Sequence, residues 1–203
     1  MVRYLVPGRG CGECTVCCVE LTIEDPKLQK AAGVVCGNLT AAPACAIYAD
    51  RPRTCELFFC GWRQLRWIDD HMRPDESGVL ILVHTATHGL QAGICLGVGF
   101  LILDPRSLES QRLARAVAAT VAAGVPVSLH TPGPPGKPAS QVRVDEVLRG
   151  AVWGGNNAAV LAILKQAHAQ GLIQAATEAS APAGENDPAA AETGHLGHGS
   201  DVC

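Results

Sequence analysis

The sequence predicts an α+β fold in which a cysteine-rich N-terminal region packs on a small antiparallel sheet with two main helices, followed by a disordered acidic tail. Three observations lead there. Eight of the ten cysteines lie between Cys11 and Cys60. Short β-branched runs and amphipathic stretches then alternate as far as Ala176. From Thr177 onward Ala, Gly, Pro and Glu dominate, with five acidic and no basic side chains. The divisions that follow are 1–75 for the cysteine region, 76–176 for a small α+β layer and 177–203 for the tail. At about 150 residues per domain, 203 residues allow one domain with an appendage. The 48% hydrophobic content is enough to fill a core over most of that length.

In chain order, Pro52 suits the first turn of a helix, because its missing amide donor is not needed there, and Asp50 is placed to cap that turn. Val79 to His84 is an apolar, β-branched run and predicts a strand, and Gly93 to Leu103 predicts another. Few residues separate them, so an antiparallel hairpin is expected. Leu108, Leu113, Val117 and Val121 give Ser107 to Ala123 a helical period, with Ser107 as cap and Gly124 as stop. Val125 to Leu129 reads as a strand, the proline-rich Thr131 to Pro138 as a rigid loop, and Gln141 to Val144 as a last strand. Val147 to Val152 is assigned to no element, and Asn157 to Leu172 reads as a helix by composition and period. The tail reads as disordered on composition.

Charge and hydropathy exclude several function classes. Residues 1–75 hold nine basic and nine acidic side chains and residues 76–176 hold seven and five. No segment has the basic excess that neutralising phosphates requires, so no nucleic-acid partner is expected. Arg51, Arg53, Arg63, Arg66 and Arg73 read as a charged helix face balanced by Glu56, Asp69 and Asp70. The longest apolar stretch, Gly89 to Leu103, is interrupted by Gln91 and four glycines. It falls short of the roughly 18 to 20 residues a membrane span needs, so no membrane partner is expected. Met1 to Gly10 has no continuous apolar block and does not read as a secretory signal. A cytoplasmic location follows, and with it free thiols that serve as metal ligands or reactive groups.

The cysteine spacing is the strongest signal. Cys11-Gly-Glu-Cys14-Thr-Val-Cys17-Cys18 repeats a two-residue interval twice. That interval brings two sulfurs to one side of a tight loop whose amides can hydrogen-bond thiolates. Three thiols at steps of three resemble the start of a ferredoxin run, but the next position, Leu21, breaks it. Adjacent side chains diverge, so Cys17 and Cys18 are expected to serve different sites unless one is not a ligand. Further ligands must then come from Cys36, Cys45, Cys55 and Cys60, folding the window back on itself. In a regular helix Cys55 and Cys60 stand about 140° apart. For both to reach one centre, the helix must be distorted or end near Phe59. Arg51 and Arg53 are either offsets for thiolate charge or ordinary surface arginines.

The run Cys11 to Cys18, followed by Cys45-Ala-Ile-Tyr-Ala-Asp-Arg-Pro-Arg-Thr-Cys55 and Phe59-Cys60, resembles the YkgJ-type cysteine-cluster family, described as a CxxCxxCC zinc- or iron-chelating domain. The likeness covers roughly Arg9 to Trp67. It implies that Cys11, Cys14, Cys17, Cys18, Cys45, Cys55 and Cys60 form a metal site, with Cys36 where the family often has a further cysteine. The related flagellin lysine methylases carry a similar motif with an iron–sulfur cluster, but their additional sequence is not recognisable here.

The remaining candidates are weaker. His195, His198 and Cys203 close the tail and read as inert more readily than as chelators. His84, His88 and His130 flank predicted strands; they read first as core or rim histidines, second as nitrogen ligands or proton carriers. Cys95 reads as a buried small hydrophobe. The sequence contains no phosphate loop, nucleophile elbow or dinucleotide fingerprint. The expected function is therefore metal binding through a thiolate cluster, with zinc or iron as cofactor and a structural or metal-handling role. The alternative is an iron–sulfur protein with a [4Fe-4S] cluster, an electron carrier or redox enzyme; a thiol redox switch is a third class. A metal ion is the one partner the sequence names, and whether the chain is an enzyme stays open.

Overall fold

A computed structural model describes residues 5–42, 44–87 and 94–180. The architecture is mixed α+β, with two sheets and seven α-helices among the described residues. Cysteine-region elements are short: α1 (Val16–Glu20), the hairpin β1 (Ile23–Asp25) and β2 (Leu28–Lys30), α2 (Arg53–Leu57), α3 (Gly61–Gln64) and α4 (Pro74–Ser77). Asp50 ends a 3-10 turn, and Pro52 stands at the N-cap of α2 in extended conformation. The expected Asp50 cap is thus replaced by a proline boundary that fixes where α2 starts.

The main sheet has the order β3-β4-β5-β6. β3 (Val79–Thr87) and β4 (Ile94–Ile102) form the expected antiparallel hairpin, from Val79 opposite Ile102 to Thr87 opposite Ile94. β5 (Val127–Thr131) pairs parallel to β4, and β6 (Ser140–Arg143) antiparallel to β5. The sheet is therefore mixed, not antiparallel. Its parallel pair follows from α5 (Gln111–Ala122), a crossover long enough to return the chain in the same direction. α5 starts later than expected because Pro105–Glu109 forms a separate 3-10 turn capped by Asp104, after which Ser110 accepts from the Arg112 amide and restarts the helix.

Three long helices, not two, cover one face. α6 (Asp145–Trp153) and α7 (Asn157–Ser180) join α5. α6 covers Val147 to Val152, where Leu148 is fully buried and Ala151 and Val152 pack against the core at helical spacing. α7 runs past Leu172 into the stretch expected to begin the tail; the rest of that tail, with His195, His198 and Cys203, lies outside the described residues, as does His88.

Strand alternation directs Val79, Ile81, Val98, Phe100, Ile102, Val127 and Leu129 into one core with Leu113, Val117, Leu148, Val160 and Leu164. Trp62, Leu65, Ile68 and Met72 belong to the same core. The last part of the 1–75 stretch is thereby built into the layer that carries the sheet. α3 approaches β3 so closely that a Cβ on Gly61 would fall inside the Ile81 side chain. Gly78 ends α4 with φ +67°, a conformation few residues other than glycine adopt, beneath Asp104.

Candidate metal centre

The first four cysteines hang on a turn and a short helix. The Cys14 amide donates to the Cys11 carbonyl at 3.0 Å, and Gly12 supplies the φ of +54° the turn needs. The Val16 amide, the first of α1, hydrogen-bonds the Cys14 sulfur, as backbone amides do to thiolate ligands. Burial pushes the Cys14 thiol up to about 11, and the Asp75 carboxylate hydrogen-bonded to it adds to the effect. Arg73 holds Asp75 in place through bonds of 2.7 and 2.9 Å. Further along α1, the Cys17 thiol donates to Cys18. That bond, then burial, pushes Cys17 far up, and the charges of Cys18, Cys11 and Cys14 act in the same direction. The same bond, aided by the Lys30 ammonium, draws Cys18 down to about 6 against its burial.

The rest of the window returns to these thiols by three routes. The Cys36 amide donates to the Cys18 carbonyl at 3.0 Å, and Cys36 is buried. Leu39 and Cys45 form an isolated bridge that closes the next loop. Asp25 accepts from the Thr54 amide and hydroxyl at 3.4 Å each, seating α2 and its Cys55 on the β1–β2 hairpin. Burial pushes the Cys55 thiol up, and after it the charges of Cys18, Cys36, Cys45 and Asp25.

Cys60 looks the other way. Helix α2 ends at Leu57, as a shared centre with Cys55 would require, but Cys60 then caps α3 and faces Cys11. Burial pushes the Cys60 thiol up, while the Arg63 and Trp62 amides hydrogen-bond its sulfur and partly offset that. The Arg63 guanidinium lies 3.6 Å from the Cys11 sulfur and donates through Nε to the Arg9 carbonyl at 3.0 Å. Arg9, itself buried, donates to the carbonyls of Trp62, Leu65 and Ile68 and pairs with Asp70. The start and the end of the cysteine window are tied at this point.

The eight thiols are all free. Cys17 senses the charges of Cys18, Cys11 and Cys14, Cys60 that of Cys11, and Cys55 those of Cys18, Cys36 and Cys45, so two groups of thiols, Cys11, Cys14, Cys17 and Cys60 and then Cys18, Cys36, Cys45 and Cys55, meet at the Cys17–Cys18 pair. Among the described residues, no group of three or more His, Cys, Asp or Glu side chains is arranged to hold a metal ion. The sulfurs adjoin as charges and do not stand in a closed coordination shell.

Lys30 is the residue that sequence reasoning missed. Its side chain is 7% exposed, and its ammonium donates to the carbonyls of Val19, Ala31 and Val34 at 2.7 to 3.0 Å. Burial lowers its pKa, and the charges of Cys36, Glu20, Cys18 and Cys17 hold it up. Arg51 and Arg53, weighed for this role, are engaged elsewhere: Arg51 stacks on the Tyr48 ring, and Arg53 pairs with Glu56 at the surface. A lone lysine at the end of a three-residue strand gives no sequence signal of its burial.

The other candidates are placed as follows. His84 lies on β3 and His130, buried, on β5. Cys95 stands in β4 opposite Ala86, its side chain outside the described residues. No helix among the described residues is long and apolar enough to cross a membrane. No family model matches the chain, and neither a curated protein nor a solved structure matches it.

Proposed function

We propose that the chain binds zinc or iron through its eight clustered cysteines, in a structural or metal-handling role, as its resemblance to the YkgJ-type cysteine-cluster family implies. One observation carries this reading. Across residues 11–60, Ile23, Cys36 and Pro52 are the buried apolar side chains among the described residues. So little apolar burial does not offset the entropy of ordering fifty residues, at roughly 1 to 2 kcal/mol each for the backbone alone. Structural zinc contributes on the order of 10 kcal/mol per ion in small peptides, which is the scale required.

The donor set suits such an ion. Thiolates are soft ligands that accept zinc and iron alike. Cys11, Cys14, Cys17 and Cys60 would hold one ion, and Cys18, Cys36, Cys45 and Cys55 a second. Bound there, each ion would supply cross-linking and charge neutralisation. The chain's own part is visible at Lys30, whose buried ammonium offsets part of the negative charge that tetrathiolate centres carry. Amides of Val16, Trp62 and Arg63 stabilise the sulfurs they bond.

A second reading is an iron–sulfur protein acting in electron transfer or redox catalysis. An open cleft of about 670 Å³ favours it, because its wall includes Val16 and Asp75, the two residues bonded to the Cys14 sulfur. Protein purified without air decides between them. Two zinc ions per chain and no acid-labile sulfide are expected for the first reading; four irons with four sulfides, a brown colour and bleaching on reduction are expected for the second. A cysteine region that stays protease-resistant with all metal removed would overturn both.

A further inference from the structure

We infer that His84 and His130 form a separate nitrogen-donor cation site, on the sheet face opposite the helices, that takes a divalent d-block ion through their Nε2 atoms. The two residues come from β3 and β5 and meet across the strand between them, with ring centroids 5.8 Å apart and planes at 28°. They meet because β4 has no side chains beneath them. His84 is registered opposite Gly97, and Gly99 lies one pair further along the same face. A Cβ built on Gly99 would stand 2.5 Å from Nε2 of His130 and 3.1 Å from Nε2 of His84. Both nitrogens therefore lie over the Gly99 backbone, and the missing side chain of glycine leaves nothing between them. The Cβ position of Gly97 beside it is open space, and His84 is exposed, so that space can be reached from solvent.

Glycine weakens a strand interior and marks places where something must approach the backbone closely. Two of them on one face of β4 fit that use. The chemistry of the rings agrees with the geometry. Burial and the neighbouring His84 hold His130 down to about 4, so it stays a neutral imidazole with one unprotonated ring nitrogen. Burial also lowers His84. The Ser128 hydroxyl lies 2.9 Å from Nε2 of His130 and is its polar partner. With the ring proton on Nδ1, that hydroxyl donates to the lone pair a cation would take, and turns aside when one binds. Imidazole nitrogen suits zinc, copper and nickel.

The test uses the full chain with its thiols already loaded with zinc, titrated with nickel chloride and followed by histidine side-chain NMR. The His84 and His130 signals should broaden together, at lower nickel than those of the exposed, solitary His71. His84→Ala should raise the nickel needed at His130 by at least about tenfold, the scale on which even outer partners of metal ligands act. Gly99→Ala, which fills the space between the two nitrogens, should abolish the early broadening while the His168 signals report an intact fold. Broadening of His84 and His130 no earlier than His71, or equal broadening of His130 in His84→Ala, would overturn the site. Zinc content read in the same samples tests the cysteine centres separately.

Discussion

The Cys17 thiol is hydrogen-bonded to the Cys18 sulfur, its neighbour in the chain, and the pair is where two groups of thiols meet, each a neighbourhood proposed to take an ion. Beyond Cys18, Cys17 senses Cys11 and Cys14, while the charge of Cys18 acts on Cys55, and both act on Lys30. If each neighbourhood holds one ion, Cys55→Ser and Cys60→Ser should each remove one of two equivalents, and the double variant both. Metal content by elemental analysis measures this. Loss of both ions from either single variant would show one shared centre instead.

Lys30→Met keeps the aliphatic stem and removes the ammonium, leaving the Val19, Ala31 and Val34 carbonyls without their donor. Each buried acceptor stripped of its partner costs about 1 to 3 kcal/mol, so a loss of about 3 kcal/mol or more is expected in urea unfolding. Lys137→Met, at an exposed position, should stay within about 0.5 kcal/mol of the parent.

Two glycine substitutions should move stability in opposite directions. Gly61→Ala would drive a methyl into Ile81 at the contact of α3 with β3, a typical overpacking cost of about 1 to 3 kcal/mol. It should also disturb Cys60, the residue before it. Gly150→Ala lies inside α6 with nothing within 4 Å of the new methyl, and should stabilise by about 0.5 to 1 kcal/mol. Thermal unfolding of both variants checks the pair.

Acid should weaken the fold through His168. This side chain is buried, its Nδ1 lies 3.1 Å from the Thr131 hydroxyl, and burial lowers its pKa. A base held down in the folded state binds fewer protons there than in the unfolded chain. Its contribution is therefore present above the ordinary histidine value of about 6.5 and is lost as pH falls below it. His168→Asn keeps a polar group near the Nδ1 position without the titration. Its urea midpoint should fall less between pH 7 and pH 5 than the parent's; an equal fall would exclude His168 as a source.

The sheet was largely readable because its strands are β-branched runs of five to nine residues or carry turn signals, and the β3–β4 hairpin follows from chain proximity. The parallel pairing of β4 with β5 was not, since direction is decided by how α5 crosses the sheet and not by either strand's own composition. β1 and β2 have three residues each, too few for an alternation to register. At the cysteines, spacing exposed the turn from Cys11 to Cys14 and the need for α2 to stop before Cys60. It could not assign Cys55 and Cys60 to opposite sides, because that depends on Asp25 seating α2 and on Arg63 drawing Cys60 toward Cys11. Lys30 was hidden for a similar reason: its carbonyl acceptors come from three separate residues, gathered only by the folded backbone.

The Arg9 clamp on Trp62, Leu65, Ile68 and Asp70 fastens the two ends of the stretch between them into a neck, and a second tie, from the Gly136 amide to the Ala32 carbonyl at 2.8 Å, holds the stretch to the β5–β6 loop. Once a neck is fastened, the entropy of the enclosed loop grows only with the logarithm of its length. A change of loop length that leaves the eight cysteines and Lys30 in place therefore adds little entropy, and the connections between those residues are where this part of the chain is freest to lengthen or shorten.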